Sequence, residues 1–200
     1  MGRAARRNIS AEVEPLKDLG AIKRIKQYLY GKESRRDYLL FVMGINVGLR
    51  IGDLLQLRIE DVVDENTSKI KSSVQVREQK TGKMREFTIN KAATAAIQEY
   101  LDSLGSRNPK AFLFKSRKGD GPLTTRSAHK LIKTTLRELG IKGNYGTHSL
   151  RKTFGYHRYI NNVKLETLQR MFNHSSPATT LRYIGITREV IIDAYNSVNL

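Results

Sequence analysis

The sequence predicts an α+β fold that is mainly helical, with one small antiparallel sheet. Three observations carry that expectation. Apolar residues recur at three- and four-residue spacing over most of the 200-residue chain. Between about residues 59 and 89 the spacing shortens toward alternation, the period of a half-buried strand. Inside that interval, Gln79-Lys80-Thr81-Gly82-Lys83 supplies the polar, Gly-containing loop of a hairpin.

Residues 1–12 are basic with little apolar content and read as a linker or a truncated end. From Val13 to Tyr30, Leu16, Leu19, Ile22, Ile25 and Leu29 mark a first helix, which Gly31 ends. Ser34 caps the next, which runs through Tyr38, Leu39, Phe41 and Val42 to Val47, and Gly48 breaks it. A short helix follows from Ile51 to Leu57. Ile59, Val62 and Val63 suggest a strand, and Asp64-Glu65-Asn66 a turn. Ile70 to Arg77 is a strand with Val74 and Val76 on one face. Met84 to Ile89 returns beside it, which leaves Lys80 at the hairpin tip.

The remainder is mostly helical. Lys91 to Leu104 forms a helix with Ala95, Ile97 and Leu101 inward, and Ala111 to Phe114 is short and extended. Thr124-Thr125-Arg126-Ser127 opens a helix that ends at Gly140. Thr147 or Ser149 starts the helix that carries Arg151, and Lys164 to Phe172 is another, with Leu165, Leu168 and Met171 apolar. Pro177 suits a first helical turn, so Ala178 to Tyr183 is a short helix. Thr187 to Tyr195 ends the fold. Ile191, Ile192 and Tyr195 in the tail anchor either on this core or on a neighbouring protomer.

Lys and Arg total 36 against 19 Asp and Glu, a formal charge of +17. Such a balance points to a polyanionic partner. No apolar run approaches a membrane span and no signal-peptide pattern opens the chain, so nucleic acid is preferred to a membrane surface. Cysteine is absent, which removes disulfides and thiol chemistry and fits a reducing, cytoplasmic compartment. His129, His148, His157 and His174 show no close metal-ligand spacing, so neither metal nor other cofactor is expected.

Four residues suggest chemistry. His148 and Arg151 lie three apart and share one helical face, and His174 and Tyr183 follow in the next two elements. A phenol beside Arg and His donors is what attack on a phosphodiester by a protein nucleophile needs. Each also has an ordinary reading: His148 as a helix cap, Arg151 in an ion pair, His174 in a polar turn and Tyr183 half-buried in a core. Arg50, after a Gly turn at a helix start, suits an anion, or simply pairs with Asp53. Lys80 at a hairpin tip is ordinarily only solvated, or else reaches into a groove to protonate a leaving oxygen.

Taken together these residues resemble the tyrosine recombinase family of phage-integrase type. Gly48-Leu49-Arg50-Ile51-Gly52-Asp53-Leu54-Leu55-Gln56-Leu57 resembles its first Arg motif, and Gln79-Lys80-Thr81-Gly82-Lys83 its lysine-bearing hairpin. His148-Ser149-Leu150-Arg151-Lys152-Thr153-Phe154 resembles its His-x-x-Arg box, with Lys152 at a position usually His or Lys. Phe172-Asn173-His174-Ser175-Ser176-Pro177-Ala178-Thr179-Thr180-Leu181-Arg182-Tyr183 is similar to its terminal motif, except that Phe172-Asn173 replaces the common Leu-Gly. The resemblance covers about residues 13–196 and implies a catalytic domain over 13–200.

The resemblance implies a metal-free, site-specific recombinase acting on double-stranded DNA. Tyr183 attacks the scissile phosphate, leaving a 3′-phosphotyrosyl link and a free 5′-hydroxyl. Arg50, Arg151 and His174 stabilise the phosphate charge, Lys80 protonates the leaving oxygen, and His148 accepts or positions the phenolic proton. Asp53 orients the Arg50 segment. Four protomers assemble on two duplexes, and the free protein is a monomer. Type IB topoisomerase-like relaxation and a non-catalytic DNA-binding role are the competing expectations.

Overall fold

The computed structural model describes residues 12–186, together with Ile192 and Asn196. Most of the 1–12 segment and the 187–195 element fall outside the described residues, as do the side chains of Ile191 and Tyr195.

The first helix, α1 (Leu19–Gly31), starts later than the apolar spacing suggests. Pro15 disfavours helical backbone in the residue before it, and Asp18 caps the helix by accepting from the Gly20 amide at 2.7 Å. Residues ahead of Asp18 instead lie along a later helix: the Leu16 amide donates to Thr153 Oγ1 at 2.8 Å. Helix α2 (Arg35–Asn46) is buried without a break from Leu39 to Ile45, because it packs between α1, α5 and α7. It leads through Gly48, at φ +63°, into α3 (Ile51–Leu55).

The expected strand at Ile59–Val63 is a one-turn helix, α4 (Ile59–Val62). Asp61 reaches back to accept from the Arg58 amide at 2.7 Å, and Ile59 and Val62 share a buried face three residues apart. Val63 alone pairs with Ile70 as a bridge. Strands β1 (Ser73–Arg77) and β2 (Met84–Thr88) pair antiparallel, from Ser73 opposite Thr88 to Arg77 opposite Met84. Val74 and Phe87, a cross-strand pair, supply the buried face.

Asn90 caps α5 (Lys91–Asp102) through the Ala93 amide. Its inward face is Ala93, Ala96, Ile97, Tyr100 and Leu101, so Ala95 points to solvent, contrary to the sequence reading. The extended piece at 111–114 bonds back to the α3–α4 connection: Ile59 N donates to Ala111 O and Leu113 N to Leu57 O. Thr124 caps α6 (Thr125–Glu138), and Gly140 at φ +64° closes it. Helices α7 (Thr147–Ile160), α8 (Leu165–Phe172) and α9 (Pro177–Tyr183) complete the described chain.

The fold is therefore α+β and mainly helical, with a two-stranded sheet among the described residues. The largest core joins α2, α3, α5 and the sheet, and a second lies between α1, α2, α6 and α7. A third, smaller one contains Phe154, Leu168, Phe172 and Ile184. That last cluster seats the end of α9 on α8, with Tyr183 against Phe172 and beside Arg151 of α7. Among the described residues no helix is long and apolar enough to cross a membrane.

Candidate active site

Arg151 is the centre of the site. It leaves the first turns of α7 and is 2% exposed. The ion pair expected for an ordinary arginine is absent among the described residues. Nη1 instead donates to Gly48 O at 2.7 Å and Nη2 to Phe172 O at 2.9 Å. Both acceptors are neutral, so the guanidinium charge is fixed in place and not cancelled. Gly48 makes this possible. A side chain there would hold a left-handed conformation and bring Cβ to 2.6 Å from the Phe154 ring. Burial, then the charge of Arg85, lowers the Arg151 pKa to about 10, and it remains a cation at neutral pH.

Tyr183, the last residue of α9, lies half-buried against this guanidinium. Burial pushes its phenol up, while Arg151, by charge and hydrogen bond, pulls the other way with help from Arg50 and Arg85. The phenol is thus neutral at rest, with the cations that would favour its anion already in position. The Tyr183 ring meets Phe172 and His174 edge-on at 5.4 and 5.1 Å, and Lys152 Nζ lies 5.2 Å from its centroid.

His174 follows Asn173, which adopts φ 58°, ψ 39° and turns the chain out of α8. Asn occupies this left-handed position where glycine is common, because its short side chain tolerates it. The His174 ring stacks on Phe172 at 5.1 Å, and Nδ1 is paired with the buried Thr180 Oγ1 at 3.1 Å. Burial and the charges of Arg151, Arg50 and Arg85 lower its pKa to about 4. His148 stands on the first turn of α7, with part of its ring in solvent. It is not the cap, since Ser149 Oγ accepts from the Gly146 amide at 3.0 Å. Partial burial, then the charges of Arg151, Lys152, Arg50 and Lys80, lower its pKa. Both imidazoles are neutral at pH 7.

Arg50 is the N-cap of α3. Its carboxylate partner is Glu78, at 2.8 Å, and not the neighbouring Asp53. Asp53 serves the hairpin instead, accepting from the Gln79 amide at 2.9 Å. Lys80 is exposed at the tip, close enough for its charge to act on His148. The structure thus gathers Arg50, His148, Arg151, His174 and Tyr183, and hangs Lys80 beside them on the β1–β2 loop.

Three polar residues of this region escape a reading from sequence. Glu78 is wholly buried, Arg85 lies behind it at 3.4 Å, and Thr180 fixes His174. Their charge suggests that Glu78 and Arg85 face solvent; the signal against that is the strand alternation itself, in which Glu78 continues the face of Val74 and Val76 and Arg85 that of Phe87. Among the described residues no group of His, Asp and Glu has the arrangement of a metal site.

Comparison with known proteins bears on the family and the fold. Residues 18–189 match the family model described as the phage integrase family. The chain is 38% identical over 183 residues to a probable integrase/recombinase, YoeC, of Bacillus subtilis, covering 92% of this chain and 95% of that protein. It is 28% identical to tyrosine recombinase XerA of Pyrococcus horikoshii, covering 88% of this chain but 59% of XerA. The crystal structure of XerA recombinase superposes with a TM-score of 0.72 at 24% identity, over 93% of this chain and 66% of that one. XerH bound to a palindromic difH substrate, a post-cleavage complex, gives a TM-score of 0.70 at 21% identity, over 94% and 54%. The fold is that of a tyrosine recombinase catalytic domain.

Proposed function

Because the chain belongs to the phage integrase family, we propose that it is a site-specific DNA recombinase that cuts and rejoins duplex DNA through Tyr183. The observation that carries this reading is the Tyr183 phenol resting against Arg151, a buried guanidinium with two carbonyl partners and no carboxylate partner among the described residues. Such a cation is pre-organised for a phosphate oxygen and needs no rearrangement when charge develops.

In the reaction, Tyr183 Oη attacks phosphorus and the bond to the 5′-oxygen breaks. Arg50, Arg151 and His174 hold the non-bridging oxygens. Neutral His148 takes up or positions the phenolic proton, and Lys80 delivers one to the departing oxygen. The products are a 3′-phosphotyrosyl link and a 5′-hydroxyl, so the bond energy is kept and the reverse step rejoins a strand. The +17 charge supplies salt-sensitive attraction to the duplex. The DNA complexes of XerH and Tn1549 integrase among its structural relatives favour the same partner. Four protomers on two duplexes are the proposed synaptic assembly.

The test is covalent capture. Incubated with a pool of nicked suicide duplexes, the wild-type chain should give an SDS-resistant protein–DNA band. Tyr183→Phe should give none, and an equal band from that variant would overturn the reading.

A further inference from the structure

Glu78 is the last residue before the hairpin loop, and its side chain is 0% exposed. A carboxylate is costly to bury and is retained there only with partners. It has three. Oε2 lies 2.8 Å from Arg50 Nη1 and accepts from Thr81 Oγ1 at 2.8 Å, and Oε1 lies 3.4 Å from Arg85 Nη1. Burial pushes the carboxyl up, but Arg50, Thr81 and Arg85 outweigh it and hold the pKa at about 2. Its backbone closes the loop from both sides: Glu78 N donates to Lys83 O at 2.9 Å, and Gly82 N donates to Glu78 O at 2.8 Å.

The consequence concerns Lys80. It has no anchor of its own in the hydrogen bonds and ion pairs among the described residues. Its neighbours are both tied down: Gln79 N to Asp53 Oδ1 on α3, and Thr81 Oγ1 to Glu78. Glu78 therefore grips the loop beside Lys80 and the Arg50 side chain with the same carboxylate oxygen. It also separates two guanidiniums, Arg50 and Arg85, that would otherwise repel.

We propose that Glu78 is a positioning residue that registers the Lys80 hairpin against Arg50, so that proton donor and phosphate clamp address the same phosphodiester. This rests on the roles proposed above for Arg50 and Lys80. Removing the carboxylate leaves Arg50 free to bind phosphate but lets Lys80 drift from the leaving oxygen. Binding and proton delivery are thereby separable.

The test uses the nicked duplex that gives the adduct, and the same duplex with sulfur in place of the scissile 5′-bridging oxygen. A thiolate leaves without a proton. On the oxygen substrate, Glu78→Gln should slow single-turnover cleavage by about tenfold or more, the scale of a misplaced general acid. On the sulfur substrate the gap between Glu78→Gln and wild type should close, as it should for Lys80→Ala. In a Tyr183→Phe background, Glu78→Gln should bind the duplex as tightly as its parent, or more tightly. An equal defect on both substrates would assign Glu78 a merely structural role and overturn the proposal. A Lys80→Ala defect that sulfur does not relieve would instead remove Lys80 as the acid, and the proposal with it. If Glu78→Gln does not fold by circular dichroism, Glu78→Gln with Arg85→Gln restores the charge balance and carries the same comparison.

Discussion

Arg151 is held by the carbonyls of Gly48 and Phe172, whereas Arg50 is held by the carboxylate of Glu78. The two guanidiniums belong to one site but are supported in different ways. Around Arg151 the support is backbone fixed by packing: the Gly48 turn, the Phe154–Phe172 edge contact at 5.7 Å and the left-handed Asn173. Around Arg50 the support is a buried charge that also grips the hairpin. Neutral acceptors orient a cation and leave its charge available to a phosphate. A carboxylate orients it and offsets its charge, which makes that half of the site electrostatically adjustable.

Arg151→Lys keeps the charge but cannot reach both carbonyls. Covalent adduct formation should fall by about 10²–10³-fold, the scale for losing a pre-organised donor. Stability in urea should fall by about 1–3 kcal/mol for the carbonyl left bare. An adduct yield near wild type would break the claim that the two carbonyls matter.

Gly48→Ala attacks the same half through backbone alone. The Cβ meets the Phe154 ring and the residue must hold φ +63°, so the loss should be about 1–3 kcal/mol, read by thermal or urea unfolding. A neutral result would mean that the turn adapts and that packing does not fix Gly48 O.

Acid separates the two halves. His174 has its folded pKa lowered to about 4 from an ordinary 6.5. The unfolded chain therefore binds its proton first, and that stability, complete above pH 6.5, is lost as pH falls toward 4. Glu78 is lowered to about 2 from 4.5, so its contribution is complete above 4.5 and lost toward pH 2. Urea midpoints against pH should decline in both windows. Glu78→Gln should make the lower decline shallower, the lowered carboxyls of Asp64 and Asp120 keeping part of it, and should leave the upper one intact; an unchanged lower decline sinks the assignment.

The smallest effect belongs to Asn173. Asn173→Ala should cost about 1 kcal/mol for a left-handed residue, and Asn173→Gly should be tolerated within a few tenths. A large loss in Asn173→Gly would show that the side chain itself matters to His174.

Much of the site was legible because its motifs are local. Gly48-Leu49-Arg50 announces a turn followed by a helix, and His148 and Arg151 share a face by spacing alone. Asn173 was recognisable as a residue that tolerates φ above zero. At Ile59–Val63 the β-branched residues suggest extension, whereas the Asp61 cap and the Ile59–Val62 spacing favour one helical turn. Ala95 lies one position from the buried face of α5, and Ala93 and Ala96 on that face are equally apolar in sequence.

The sequence by itself determined the mainly helical fold, the hairpin with Lys80 at its tip and the basic charge. Those follow from periodicity, turn chemistry and composition, which are local properties. Only the tertiary structure decided that Arg151 is satisfied by carbonyls 103 and 21 residues away, and that Glu78 rather than Asp53 pairs with Arg50. Burial and long-range pairing depend on which faces meet when the three cores close. Two-residue spacing puts Glu78 on the inward face with Val74 and Val76, but no spacing along the chain encodes that Arg50 will meet it there.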